Sequence, residues 1–194
     1  MSRIASVERV TNETRVNLTV DLDGSGRSSI DTGVGFFDHL LTSFSHHGLF
    51  DLEASTKGDL ALDDHHTVED TALALGDAIS IALGDRVGIT RFGDAVVPMD
   101  EARSTVALDL SGRPYTLIDL QLRTDRIGTM TTQNIPHVLE ALARAAGLTL
   151  HVTSIGSNDH HVAEATFKAL GRALRVAVTI DPRRSGVPSS KGTL

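Results

Sequence analysis

The sequence predicts an α+β fold built as a tandem repeat of two ββαβα half-domains, with four helices packed between two mixed β-sheets. Three observations carry this. Asn12-Glu13-Thr14-Arg15, followed by Asn17-Leu-Thr-Val-Asp-Leu-Asp-Gly24, returns as Asp100-Glu101-Ala102-Arg103, followed by Thr105-Val-Ala-Leu-Asp-Leu-Ser-Gly112, at an offset of 88. Asp64-His65-His66-Thr67-Val68-Glu69-Asp70 returns as Asp159-His160-His161-Val162-Ala163-Glu164 at an offset of 95, and Ala74-Leu75-Gly76 returns as Ala169-Leu170-Gly171 at the same offset. Short segments alternate apolar and polar residues, whereas longer ones carry a single apolar face. Features that agree on nearly one offset mark a duplication, and one-faced elements bury best as layers. The half-domains are expected at 1–92 and 93–194. At 194 residues they form one compact domain able to bury a sizeable core.

In chain order, residues 3–10 and 14–22 read as strands, the second with clean period-two alternation. Asp21-x-Asp23-x-Ser25-Gly26 resembles the start of a calcium loop, but its twelfth position is Thr32 and strands flank it; a hairpin turn is expected instead. A third short strand near 28–32 should pair with the second. Gly33 and Gly35 precede a helix over 36–47, with Gly48 as its stop. A strand over 49–56 and a helix over 65–83, stopped by Gly84, complete the half. The second half offers strands at 105–112 and 115–122, then a helix over 135–146 with Pro136 in its first turn and Gly147 as its stop. A strand over 148–154 and a helix over 160–178 follow.

Composition excludes several functions. The net charge is −7 and no Lys/Arg run occurs, which argues against a nucleic-acid partner. No apolar run approaches the length of a membrane span, and residues 1–10 lack a signal-peptide core. Without cysteine there is no disulfide, no thiolate nucleophile and no thiolate zinc site. A cytoplasmic location is expected. Six of the nine histidines stand in His-His pairs.

On a helix, residues i and i+4 share a face while neighbours diverge by about 100°. His65 with Glu69, and His160 with Glu164, can each share a metal. His66 and His161 then point elsewhere, and a pseudo-twofold would let each reach the metal of the other block. Each half also has an earlier helical histidine, His39 and His137. The expectation is one site of His39, His65, Glu69 and His161, and a mirror site of His137, His160, Glu164 and His66. Nitrogen and oxygen ligands without sulfur suit manganese or ferrous iron as well as zinc. His46-His47 has no glutamate four residues on and reads as loop packing; His151, within a strand, reads as structural. Lys168 extends the stripe of His160 and Glu164 and reads as an anion contact. Arg91 and Arg113 lie in Gly-flanked turns where a guanidinium can hold phosphate bidentately, although each alone reads as a surface arginine. The tail Pro188-Ser189-Ser190-Lys191-Gly192 alone reads as a frayed terminus.

Phe36-Phe-Asp-His39, the two His-His blocks, Arg91-Phe-Gly93, Ser111-Gly-Arg-Pro114, His160-His-Val-Ala-Glu-Ala-Thr-Phe-Lys168 and Ser189-Ser-Lys-Gly192 together resemble the imidazoleglycerol-phosphate dehydratase family, in its monofunctional form, from about Arg3 to the end. The resemblance implies a fold of the ribosomal protein S5 domain 2-like type. It implies conversion of D-erythro-imidazole glycerol phosphate to imidazole acetol phosphate and water in L-histidine biosynthesis, through an imidazolate bound by two Mn2+ ions per active site. It also implies a homo-oligomer of 24 subunits with active sites between them. The eight ligands above match the family's metal motifs. The same matching implies substrate contacts at Glu13, His39, His65, Arg91, Arg113, His160, Lys168, Ser189, Ser190 and Lys191, and so makes the tail a phosphate contact. Catalytic roles fall on Glu13, Glu69 and Glu164. The proton to be lost lies beside a hydroxyl, not a carbonyl, so the negative charge needs another home. A ring held between two cations can ionise and expel the hydroxyl from the carbon attached to it. Glu13, a strand-borne carboxylate free of metal, is the expected acid/base. Two rival readings remain open from the residues alone: a dinuclear metallohydrolase and a ferritin-like metal store.

Overall fold

The computed structural model describes residues 3–194; residues 1–2, where the first half-domain was expected to begin, lie outside it. The first unit runs β1 (Ile4–Val10), β2 (Thr14–Asp21), β3 (Ser28–Asp31), α1 (Gly35–Gly48), β4 (Asp51–Gly58) and α2 (His65–Leu83). The second runs β5 (Phe92–Met99), β6 (Ala102–Asp109), β7 (Tyr115–Leu120), a small β8–β9 hairpin (Arg126–Ile127 and Met130–Thr131), α3 (Asn134–Ala146), β10 (Thr149–Ile155) and α4 (Asp159–Val178). The two sheets have matching orders, β1-β2-β4-β3 and β5-β6-β10-β7, each antiparallel except for one parallel edge pair.

Each unit therefore has one strand more than ββαβα. The missed strand in the second unit is β5, whose Gly93 and Pro98 weaken its strand signal. It survives as an edge strand, where a proline can lack its N–H without breaking a central ladder. A second correction concerns β3, which pairs parallel with β4 and not with β2. Four residues long and mostly exposed, β3 suits only an edge, and β2 is flanked by β1 and β4. The preceding loop is therefore no hairpin turn. It is gathered onto Asp51, whose carboxylate accepts from Ser25 N (2.7 Å), Arg27 N (3.0 Å) and Arg27 Nη2 (2.6 Å).

The helices lie between the sheets because strand alternation gives each sheet one apolar face. Val16, Leu18 and Val20 of β2 and Val106 and Leu108 of β6 are buried, each worth about 1.5–3 kcal/mol when fully removed from water. Above these faces α1 packs on α4 and α2 on α3, so each helix pair joins the two halves. The pairs meet at repeat-equivalent glycines. A Cβ on Gly76 would stand 2.6 Å from Ala145 Cβ and 2.7 Å from Leu142 O; one on Gly171 would stand 2.4 Å from Phe44 O. Helix propensity alone would make Gly→Ala favourable by about 1 kcal/mol. The overlap reverses the sign: Gly76→Ala and Gly171→Ala are each expected to cost about 1–3 kcal/mol, measured from urea unfolding midpoints.

Gly84 and Gly147 cap α2 and α3 as expected, but α1 ends differently. Gly48 is its last helical residue, and Leu49 takes the left-handed cap at φ 57°. Gly48 lacks a side chain because one would enter the Phe50 ring, 2.4 Å away.

Candidate metal centre

The first turns of α2 and α4 carry the two His-His blocks, and both are tied to the connection between β7 and α3. Asp64 accepts from Thr131 N (2.8 Å) and Thr131 Oγ1 (2.6 Å); Asp159 accepts from Arg123 N (2.8 Å), Thr124 N (2.6 Å) and Thr124 Oγ1 (2.6 Å). Burial opposes ionisation of both carboxyls, yet these donors hold both pKa values below the usual range.

Two clusters of imidazole and carboxylate result. One is His39, His160 and Glu164; the other is His65, Glu69 and His137. In each, the ligand atoms lie within 4.8 Å of one another. Glu164 Oε2 is 3.1 Å from His39 Nε2 and 3.2 Å from His160 Nε2. Glu69 lies 3.7 Å from His65 Nε2 and 3.4 Å from His137 Nε2.

This grouping corrects the expected pairing. His39 joins the second block and His137 the first, because α1 packs on α4 and α3 on α2. Nor do His66 and His161 turn to the other block within the chain. His66 Nδ1 lies 2.9 Å from Asp59 Oδ2, and His161 Nδ1 lies 2.8 Å from Glu101 Oε2. An imidazole with a carboxylate at Nδ1 is fixed with Nε2 available, a common arrangement of metal-binding histidines.

The triads fit a divalent cation. The Nε2 of His137 is buried with no hydrogen-bond partner, a cost that an ion at that lone pair would remove. Two imidazoles and a carboxylate leave coordination positions open for further ligands.

The surroundings are electrostatically unequal. Lys168 Nζ lies 2.9 Å from Glu164 Oε1. Burial pushes the Glu164 carboxyl up, but hydrogen bonds from Lys168 and His39 outweigh it and bring the pKa down to about 2. Glu69 is approached by the exposed Arg144 at 3.2 Å. The bond to His161 lowers Glu101 to about 2, and the same bond raises His161. Stability from Glu101 is present above the ordinary glutamate pKa of about 4.3 and lost as pH falls towards 2. Stability from His161 is present below about 6.5 and lost as pH rises through its raised value. Glu101→Gln should therefore return the His161 pKa towards about 6.5, read by histidine proton NMR in the metal-free chain; an unchanged titration would contradict the pairing.

Glu13 is exposed in the β1–β2 turn, one residue before the strand on which it was expected. Its repeat mate Glu101 is committed to His161, whereas Asp59 takes the corresponding place at His66; the Glu13 carboxylate adds its charge near His66 but makes no hydrogen bond or ion pair among the described residues. The structure gathers a second group away from the triads. Arg91 donates from Nε and Nη2 to Asp109 (2.6 and 3.0 Å) and from Nη1 to Pro188 O (2.8 Å). Arg113 lies 3.9 Å from the same aspartate. Arg91 thus holds down the tail carrying Ser189, Ser190 and Lys191, and still has two N–H groups to offer. Among the described residues, no hydrogen bond or ion pair joins this group to either triad.

Asp59, Glu101, Asp109 and Asn134, whose Oδ1 lies 3.2 Å from His65 Nδ1, were not singled out in the sequence. Glu101 and Asp109 had a visible signal, as the mates of Glu13 and Asp21 at offset 88.

The comparisons with known proteins agree with this geometry. The family model for imidazoleglycerol-phosphate dehydratase matches residues 32–174. The imidazoleglycerol-phosphate dehydratase of Moorella thermoacetica is 54% identical over the full length of both chains. The chloroplastic enzyme of Pisum sativum is 52% identical, over all of this chain and 69% of its own. The compartment is therefore not fixed by kinship, although no helix among the described residues is long and apolar enough to cross a membrane. The crystal structure of imidazoleglycerol-phosphate dehydratase from Staphylococcus aureus superposes with a TM-score of 0.83 at 35% identity, over 92% of this chain and 99% of its own. The chain belongs to the imidazoleglycerol-phosphate dehydratase family, hydro-lyases of histidine biosynthesis.

Proposed function

We propose that the chain dehydrates imidazole glycerol phosphate at sites completed by neighbouring copies, with two Mn2+ ions held by its triads. The observation that carries this reading is the pair of His₂Glu triads, each beside an outward histidine whose Nδ1 is held by a carboxylate. His66 and His161 are assigned to the triads of adjacent subunits, since each leaves its own helix on a different face from its block partner. Bound ions would supply one thing, a lowered pKa for a coordinated imidazole and hence an electron source on the substrate ring.

The chain's own residues supply the rest. Glu13, exposed and with its carboxyl in no hydrogen bond or ion pair among the described residues, assists in its protonated form the departure of the hydroxyl on the carbon attached to the ring, and water leaves. The carboxylate so formed removes the proton from the carbon bearing the second hydroxyl, and the resulting enol becomes the ketone. Arg113, the free N–H groups of Arg91, and the Ser189-Ser190-Lys191 tail bind the phosphate. Lys168, one turn from Glu164, adds positive charge beside the second triad.

Assembly into 24 subunits is supported by the unlike outer faces of the two sheets. The face of β5-β6-β10-β7 exposes Val96, Tyr115, Leu117 and Ile155, while that of β1-β2-β4-β3 exposes Arg15, Asn17, Glu53 and Ser55, with Ile4 and Val10 as its large apolar residues on the edge strand β1. An apolar sheet face is the one that a second copy covers. The test is to incubate the manganese-loaded protein with imidazole glycerol phosphate and separate the products. Imidazole acetol phosphate is expected; inorganic phosphate without dehydration would mean a hydrolase.

A further inference from the structure

α1 and α3 align at a constant offset of 98, which sets His39 against His137 and Leu49 against Gly147. The same offset sets Phe36 against Asn134, and both side chains touch a histidine of the block that faces their helix. We propose that Asn134 is a positioning residue which makes the triad of His65, Glu69 and His137 the tighter of two unequal metal sites. This rests on the metal reading of the triads given above.

Asn134 is 2% exposed at the start of α3. It turns its side-chain oxygen, not its amide nitrogen, to the histidine. The residue before that histidine, Asp64, is fixed by the N–H and hydroxyl of Thr131. Oδ1 lies 3.2 Å from His65 Nδ1, and an oxygen in this role accepts only from a protonated nitrogen. His65 is thereby set with its proton on Nδ1 and its lone pair on Nε2, facing Glu69. The ring also stacks on His137, with centroids 4.7 Å apart and an interplanar angle of 20°. Two ligand rings are thus oriented before any ion arrives.

The second triad lacks this device. Phe36 lies 4.9 Å from the His160 ring, centroid to centroid, at 53°, and offers no acceptor. His39 and His160 are tilted at 43°. Both carboxylates meet a cation, but Lys168 is half-buried and 2.9 Å from Glu164, whereas Arg144 is exposed and 3.2 Å from Glu69, so an ion at the second triad competes with the closer and less hydrated charge. Loss of an outer hydrogen-bond partner costs about 10–100-fold in metal affinity, and that is the inequality expected between the sites.

The test is calorimetric titration of Mn2+ into the metal-stripped oligomer. The unsubstituted protein should take up two ions per chain in two affinity classes, and His39→Asn should abolish the weaker class. Asn134→Leu and Asn134→Ala should each weaken the tighter class by about 10–100-fold. The weaker class should survive in both, and its survival reports an intact fold, as do melting temperatures of the metal-free variants. Two ions bound with equal affinity by the unsubstituted protein would overturn the proposal. So would an unmoved tighter class in the Asn134 variants, or equal losses in both classes. Failure of the unsubstituted protein to bind Mn2+ would refute the metal reading itself, a result separable from failure of Asn134 alone.

Discussion

Glu13→Gln is expected to bind metal and substrate normally yet dehydrate about 10²–10⁴-fold more slowly, the usual contribution of a positioned acid/base. The expectation rests on a contrast between repeat mates. Glu101 is tied to His161 and to Asn158 N, whereas Asp59 relieves Glu13 of the equivalent duty. Asp59 comes from the β4–α2 connection, which is three residues longer than its counterpart between β10 and α4, as the offset falling from 98 to 95 records. A duplicated pair of glutamates has thus diverged, one structural and one available. Single-turnover measurement at saturating substrate separates the step from binding, and near-normal turnover would remove Glu13 from the mechanism.

The second large effect concerns the triads. Glu164→Ala and Glu69→Ala each delete the only carboxylate of a three-ligand cluster. Manganese content is expected to fall from two ions per chain towards one. Several kcal/mol of charge stabilisation lost from the transition state corresponds to a rate loss on the order of 10³-fold. His39→Asn should mimic Glu164→Ala in the ion it displaces, and His137→Asn should mimic Glu69→Ala. Metal analysis alongside dehydration rates checks both.

The fold was legible because duplication printed it twice. The layering followed from alternation and from one-faced helices, and the His-His blocks placed the site. Two kinds of feature were hidden. Strand neighbours depend on competition for edges, which left β3 misplaced and β5 unseen beside its glycine and proline. The histidine partners depend on which helices meet across the layer, and i,i+4 spacing says nothing of that. His39 and His137 were therefore identified but exchanged. Asp59 lies in a connection with no pattern of its own, and Asn134 is the first residue of α3, one short of the apolar pattern that marks the helix; only tertiary contact reveals that they orient His66 and His65.

The most direct measurement is anomalous diffraction at the manganese edge from crystals of the manganese-loaded protein. Two peaks per chain are expected. One should be bounded by His39, His160 and Glu164, and the other by His65, Glu69 and His137, each completed by His66 or His161 of an adjoining subunit. A single peak, or an ion held by His39 together with Glu69 of the same chain, would contradict the account.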